Sequence, residues 1–285
     1  MTNPIQRFKK NNKPLIFAHR GLVTSHQENT LSAVSAAINC GVCDGTEIDV
    51  FLTKDNQLVL FHDEDFKRLT GDDHCIYDMT WAELQALTIN RNLETEGGLI
   101  KYPQEERIPL LSEVLELVKG SDFILNIELK AHAVKWSRRQ TGAEVAKLVR
   151  AMGMEDQVVC VSFDFFMLQS LEKEYRGIYS GFGYDDDMPL PTNWVQWLME
   201  KNAIGRFIHS NCSMVEHSLI DEDSILKYRN RGMGIGAYTL FPLIKPEHEA
   251  EQDTYYIAEV ERLMALDIDW ITTDHPDKVY HVIYK

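Results

Sequence analysis

Basic residues are scarce in this chain. Lysine and arginine number 29 against 44 aspartates and glutamates, for a formal net charge of −15 over 285 residues. A basic footprint for nucleic acid is therefore absent, and a general attraction to anionic lipid is not expected. An anionic small molecule stays open as a partner, provided that its site supplies its own positive charge. Long apolar runs are lacking too. The opening stretch, MTNPIQRFKKNNKP, has no apolar core of signal-peptide length, and the longest candidate elsewhere, Leu31 to Cys43, is too short and too rich in small residues to span a bilayer. These absences predict a soluble, cytoplasmic protein with no stable membrane association. Cysteines number only five, an odd count that argues for reduced thiols. Cys40 and Cys43 do form a C-x-x-C, but the pair ends a helical stretch and precedes a strand, the reverse of a thioredoxin-like turn, so packing is its expected role. Repeats, low-complexity blocks and linkers are absent as well. With 44% hydrophobic residues, the chain has enough apolar content for one large core, either a single α/β barrel or two ordinary domains, and with the barrel pattern below a single domain over residues 1–285 is expected.

What is present is a repeated alternation of strand and helix. Strand-like segments are LIFAH, GTEIDVFLT, QLVLFHD, FILNIEL, VVCVSF, IYSGFGY, RFIHSN, GIGAYTL and DWITTD. Between them lie amphipathic stretches such as NTLSAVSAAIN, with Leu31, Val34, Ala37 and Ile38 on one face and Asn29 or Thr30 as the cap. LLSEVLELVKG and GAEVAKLVRAMG each end in glycine. Short β-branched strands alternating with helices predict a parallel sheet with helices outside. Nine strands are one too many for a closed eight-stranded barrel. The link TKDNQ is too short for a crossover helix, so the second and third segments are expected to form an antiparallel hairpin whose return strand lies outside the barrel. A turn at Asp55-Asn56 then sets Asp49 opposite His62. The expected fold is α/β: a TIM-type (β/α)8 barrel, distorted, with a β-hairpin extension. A small helical and loop-like insertion follows it at residues 63–110, and such an insertion is typically functional or a cap over the mouth. A second acidic insertion, KPEHEAEQDTYY, follows the AYTLF strand.

Polar residues collect at the strand ends: His19 and Arg20, Glu47 and Asp49, His62, Glu128 and Lys130, Ser162, Thr273 and Asp274. In a barrel these tips share the face on which active sites lie. Glu47 and Asp49 are two apart and point the same way along a strand, as do Glu128 and Lys130. Three carboxylates converging in one cavity repel each other and need a metal or shared protons. An all-oxygen set suits one divalent cation, Mg²⁺ or Ca²⁺ and next Mn²⁺, better than zinc. That ion together with Arg20 and Lys130 outweighs Glu47, Asp49 and Glu128 by one positive charge, which suits a phosphodiester monoanion. Arg20 would fork two phosphate oxygens and Lys130 act as a point charge. His19 and His62 flank the site, one to deprotonate an attacking oxygen and the other to protonate a leaving one. Tyr238, near a strand end, is read as packing that also walls the pocket. Taken singly, each of these motifs reads as an ordinary ion pair, a solvated face or turn chemistry; their coincidence at strand tips carries the functional reading. The remaining histidines show no metal-ligand spacing, and His209, borne on a strand, is the least settled of them.

The linked motifs resemble the glycerophosphodiester phosphodiesterase family. They are His19-Arg20-Gly21, Glu28-Asn29-Thr30, Asp44-Gly45-Thr46-Glu47-Ile48-Asp49-Val50, Thr53 with Asp55, His62-Asp63 and Arg68-Leu69-Thr70-Gly71, followed by IPLLSEVLELV, LNIELK and ITTDHP. The resemblance runs nearly the full length. It implies a distorted TIM barrel, His19 and His62 as the acid–base pair, Glu47, Asp49 and Glu128 around one divalent ion, and Arg20 and Lys130 on the phosphate. It implies cleavage of glycerophosphodiesters such as glycerophosphocholine or glycerophosphoethanolamine to an alcohol and glycerol 3-phosphate. The implied route is attack by the glycerol 2-hydroxyl, giving a cyclic phosphate that water opens. One departure stands out: the family's W-T-V-N or W-T-V-D is Tyr238-Thr239-Leu240-Phe241 here, which bears on recognition of the glycerol or the headgroup alcohol. Two other readings accompany this one, a lysophospholipase D-like enzyme with an apolar rim at the mouth and a non-catalytic phosphoester-binding barrel.

Overall fold

A computed structural model describes residues 3–9, 12–95, 98–102, 104–130, 140–184, 210–244 and 252–285. The strands are β1 (Leu15–His19), β2 (Gly45–Leu52), β3 (Leu58–Leu60), β4 (Leu93–Thr95), β5 (Gly98–Ile100), β6 (Ile124–Leu129), β7 (Val158–Ser162), β8 (Tyr179–Tyr184), β9 (Cys212–Glu216), β10 (Gly234–Leu240) and β11 (Trp270–Thr273). The helices are α1 (Pro4–Phe8), α2 (Leu31–Asn39), α3 (Lys67–Thr70), α4 (Trp81–Leu84), α5 (Leu111–Val118), α6 (Thr141–Met152), α7 (Phe165–Glu174), α8 (Glu222–Arg229), α9 (Gln252–Ala265) and α10 (Pro276–Ile283). Among the described residues no helix is long and apolar enough to cross a membrane.

Eight strands pair in parallel in the order β1, β2, β6, β7, β8, β9, β10, β11, and β11 returns to β1, closing the expected barrel. Alternation of side chains builds two cores. One face of each strand packs under the helices: Ile48, Val50 and Leu52 of β2 join Leu125, Ile127 and Leu129 of β6, with Val114, Val145 and Leu171 from the surrounding helices. The other face fills the barrel interior with Phe17, Ile124, Val159, Tyr179, Met214 and Trp270. Trp270 fits because β10 offers glycine there; a Cβ on Gly236 would stand 1.8 Å from its Cε2. Ile5 and Phe8 of α1 join this interior cluster beside Leu15, Ile124 and Tyr179, which open their strands. The first helix is thus a plug at the N-terminal end of the barrel, leaving the C-terminal end for the site.

β3 is antiparallel to β2, as expected, but one residue out of the expected register. Val50 pairs with Leu60 and Leu52 with Leu58, and the Phe61 amide donates to the Asp49 carbonyl at 3.2 Å. Phe61, not His62, therefore lies opposite Asp49. The turn is pinned by side chains that loop length does not reveal: the Thr53 hydroxyl donates to Asp55 at 2.6 Å, and Asp55 also accepts from the Trp81 amide at 3.0 Å.

The seventh strand is also displaced. Of RFIHSN, residues 206–209, including His209, lie outside the described residues, and the strand pairing with β8 and β10 is Cys212–Glu216. The latter has Cys and Ser where a strand usually shows β-branched residues, so its pattern is weak. His132, His248 and most of KPEHEAEQDTYY likewise lie outside the described residues. Between β3 and α5 the chain carries α3, α4 and a β4–β5 hairpin that the polar sequence did not suggest. Its own cluster of Phe66, Leu69, Ile76, Leu84, Ile89 and Ile108 packs on Phe51, Val59 and Phe61 of the β2–β3 hairpin.

Candidate active site

The site is built from a turn. His19 ends β1, and Arg20 follows in the left-handed region (φ 56), where a non-glycine residue is uncommon. Gly21 (φ 88) lies so close to α2 that a Cβ would meet that of Ala33 at 2.5 Å. This reversal turns the Arg20 amide onto Glu47 Oε2 at 3.2 Å and its guanidinium onto Glu28 Oε1 at 3.0 Å. Arg20 Nε also lies 3.2 Å from Asp49 Oδ2, a charge contact without hydrogen-bond alignment. Asn29, again left-handed (φ 56), returns to the same centre: its Nδ2 donates to Asp49 Oδ2 at 2.8 Å and its Oδ1 accepts from the Asp49 amide at 3.0 Å. Thr30 takes the α2 cap instead, accepting from the Ala33 amide at 3.2 Å.

Glu47, Asp49 and Glu128 converge, with one carboxylate oxygen from each within 4.8 Å of the others. Strand register accounts for this, since Asp49 pairs with Glu128 across β2 and β6. Lys130 Nζ sits 2.8 Å from Glu128 Oε1 and 3.2 Å from Asp49 Oδ1. Burial pushes the Asp49 carboxyl up, but Lys130, His62 and Arg20 override it and hold the group well below the usual carboxylate range. The same bargain runs in reverse for the cations: burial would lower Lys130, and Glu128 and Asp49 raise it. Glu47 differs. Burial, then Asp49 and Glu128, push its carboxyl well above the usual range. Its Oε1 is buried with no hydrogen-bond partner. An acidic oxygen without a partner beside two other carboxylates gives a donor set of oxygens alone, and the residues fit a divalent ion with oxygen ligands.

Two imidazoles stand at this centre, each held at Nδ1 by a carboxylate. His19 Nδ1 is 2.7 Å from Asp274 Oδ1, and its Nε2 is 3.9 Å from Glu47 Oε2. Asp274 is fixed in turn by the Leu243 amide, which donates to Oδ2 at 2.7 Å. His62 Nδ1 is 2.7 Å from Asp63 Oδ1, and Arg68 Nε donates to Asp63 Oδ2 at 2.6 Å. Arg68 continues to both oxygens of Glu28, at 2.8 and 2.7 Å. One ionic chain therefore links His62, Asp63, Arg68, Glu28, Arg20 and Asp49. A carboxylate only accepts, so each ring carries its proton at Nδ1 and keeps Nε2 for chemistry.

His19, Arg20, His62 and Asp274 line a cavity of about 830 Å³ at the mouth, together with Arg91, Tyr102, Thr239 and an apolar rim that includes Leu99, Leu243 and Ile244. Glu47, Asp49, Glu128 and Lys130 belong to the cluster these residues contact and are not themselves among the cavity lining. Tyr238 is half-buried, with its ring edge-on to Phe163 at 5.9 Å. Thr239, not Tyr238, lines the cavity. Phe241, at the position where the family pattern is polar, is buried (φ 47) and packs on Tyr256 at 5.2 Å, away from the cavity. Asp274 and Asp63 carry little sign of these roles in the sequence, and Glu28 and Arg68 stand there only as members of motifs. The one available signal was an acid immediately after His62 and after the Thr272-Thr273 strand end.

A closed (β/α)8 barrel that gathers three acids, two imidazoles and the buried Arg20 and Lys130 at its C-terminal mouth is an enzyme's frame, and the family match makes it a phosphodiesterase of the hydrolase class. The chain belongs to the glycerophosphoryl diester phosphodiesterase family, whose profile matches residues 19–278. It is 28% identical over 276 residues to a glycerophosphodiester phosphodiesterase of Caldanaerobacter subterraneus, covering 96% of this chain and 99% of that one. It is 30% identical over 161 residues to a lysophospholipase D of Homo sapiens, covering 56% of this chain and 49% of that protein. Its fold resembles a phosphodiesterase of Oleispira antarctica solved in complex with the product sn-glycerol-3-phosphate, with a TM-score of 0.73, 24% identity and coverage of 96% and 98% of the two chains.

Proposed function

We propose that this enzyme hydrolyses glycerophosphodiesters of the glycerophosphocholine or glycerophosphoethanolamine type to an alcohol and glycerol 3-phosphate. His19 and His62 act as acid and base, Glu47, Asp49 and Glu128 hold one divalent cation, Mg²⁺ or Ca²⁺ ahead of Mn²⁺, and Arg20 and Lys130 serve the phosphate. The observation that carries this reading is the pair of imidazoles, each tied at Nδ1 to its own carboxylate, beside three converging acids. Binding alone needs no such pair. The ion, when bound, supplies a Lewis acid at the phosphoryl oxygen.

The chain's own groups do the rest. One Nε2 takes the proton of the glycerol 2-hydroxyl as that oxygen bonds to phosphorus. The bond to the headgroup oxygen breaks, and the other imidazole, which enters the step protonated at Nε2 as well as Nδ1, gives its Nε2 proton to that oxygen. Reversed roles then let water open the cyclic phosphate. Asp63 stays ionised, because burial raises it but His62 and Arg68 hold it far below the usual range, so it keeps His62 in one tautomer. We read residues 63–110 as an insertion within a single barrel domain.

A lysophospholipid is the second reading. Leu99 and Ile244 on the cavity rim are exposed, at 49% and 64%, which is the apolar rim that an acyl chain would require. Headgroup release from glycerophosphocholine and from its lysolipid, compared with each divalent ion after stripping, separates the two. His19→Ala and His62→Ala are each expected to lose about 10²- to 10⁴-fold in kcat with the fold intact by circular dichroism. Activity untouched by both substitutions would sink the mechanism.

A further inference from the structure

The C-x-x-C of Cys40 and Cys43 is at the other end of the barrel. Cys40 caps α2, and Cys43 comes just before β2, at the strand's N-terminal end. Gly41, in the left-handed region (φ 76), turns the chain back between them, and their Sγ atoms lie 3.2 Å apart. Both are half-buried free thiols, and Cys43 packs on the outer core. Cys160 and Cys212, by contrast, are fully buried in the barrel wall, where burial raises both thiols. Cys75, also half-buried, has no cysteine beside it in the sequence.

We propose that Cys40 and Cys43 form a thiol–disulfide exchange site, with Cys40 as the attacking thiol and Cys43 as the resolving one, open to low-molecular-weight disulfides. Contact between the two sulfurs carries this, because a nearby second thiol converts a mixed disulfide into an internal one without a second encounter. The local fields favour the stated order. The Cys43 thiol, hydrogen-bonded to Cys40, lowers Cys40 to about 6; burial opposes this, and the Val42 and Cys43 backbone amides add to it. Cys43 is pushed up by that same hydrogen bond and by its burial. The Cys40 thiol also donates to the Ala37 carbonyl at 3.1 Å, a contact that opposes a thiolate, as a helix C-terminus should.

The exchange balances without another reagent. Cys40 thiolate attacks one sulfur of the small disulfide, forming a mixed disulfide and expelling one thiolate. Cys43 then gives its proton to that thiolate and attacks the Cys40 sulfur, expelling the second. Protein dithiol is oxidised and one small disulfide is reduced to two thiols. The ring closed is short and lies away from the mouth, so the modification is separate from phosphodiester hydrolysis.

Oxidised glutathione is the probe. The reduced native chain is exposed to it at neutral pH, quenched by alkylation and mapped by mass spectrometry. The expected product has lost two hydrogens, with Cys40 and Cys43 linked and Cys75 alkylated. Cys43→Ser is expected to stop at a glutathione adduct on Cys40, and Cys40→Ser to form no internal disulfide. A persistent glutathione adduct on Cys40 of the unsubstituted chain would overturn the proposal, as would Cys75 reacting as fast as Cys40. The unsubstituted chain alone decides these last two outcomes, whether or not the variants fold.

Discussion

At the scale of single residues, Glu28 shows how much of this site rests on ion pairs among its own side chains. Its carboxylate receives Arg20 from one side and Arg68 from the other. Burial would raise its pKa, yet Arg20 and then Arg68 hold it down at about 2, below the ordinary 4.5. A carboxyl depressed in the folded state releases its proton more readily than in the unfolded chain. Its stabilisation is therefore complete above about pH 4.5 and is lost as pH falls toward about 2, on the order of 3 kcal/mol in all. Glu28→Gln should flatten stability against pH in that window. It should also cost about 3–5 kcal/mol near neutrality, because both guanidinium groups lose a buried partner. Denaturant titrations of the two proteins at several pH values check both effects; parallel slopes below pH 4.5 would assign the acid sensitivity elsewhere.

At the scale of elements, the helix that the sequence hides best is the first. Five residues give no periodicity to read, yet Ile5 and Phe8 are 1% and 7% exposed in the barrel interior. Phe8→Ala is expected to cost about 3–5 kcal/mol and leave KM unchanged, since the cavity is at the opposite end. A thermal melt and a substrate titration test the two halves separately. The elements that were legible obey strong local rules. β2 and β6 alternate between the helix layer and the interior, so Glu47, Asp49 and Glu128 could be set on one face from spacing alone. What local rules miss is what neighbours decide. The β2–β3 register depends on Asp55 reaching Trp81, 26 residues away. β9 is a strand because β8 and β10 flank it, not because CSMVE demands one. The β4–β5 hairpin follows from backbone pairing that a polar stretch does not advertise. The carboxylates behind the imidazoles are separated from them very differently: Asp63 is adjacent to His62, whereas Asp274 is 255 residues from His19 and meets it only when the barrel closes.

At the scale of the whole molecule, an excess of acids has to be reconciled with an anionic substrate, and the barrel does it locally. Three acids, Arg20 and Lys130 share a nearly dry centre, and Glu47 is the member left over, its Oε1 unpartnered and its carboxyl pushed up. A cation that binds the folded centre and not the unfolded chain must stabilise the fold by mass action. At about 100 times its dissociation constant, the gain is about 2.7 kcal/mol, which for a chain of this size is a rise in Tm on the order of 5 °C. Glu47→Gln removes a ligand and also removes a buried carboxyl whose ionisation burial, Asp49 and Glu128 oppose. The variant should therefore melt no lower than the unsubstituted protein in chelator, yet gain much less when Mg²⁺, Ca²⁺ or Mn²⁺ is added, so that the order of the two melts reverses. Differential scanning fluorimetry across an ion series reads this without any substrate. An equal rise in both proteins would place the cation outside the three acids, and no rise with any ion would mean that Lys130 and Arg20 already satisfy them.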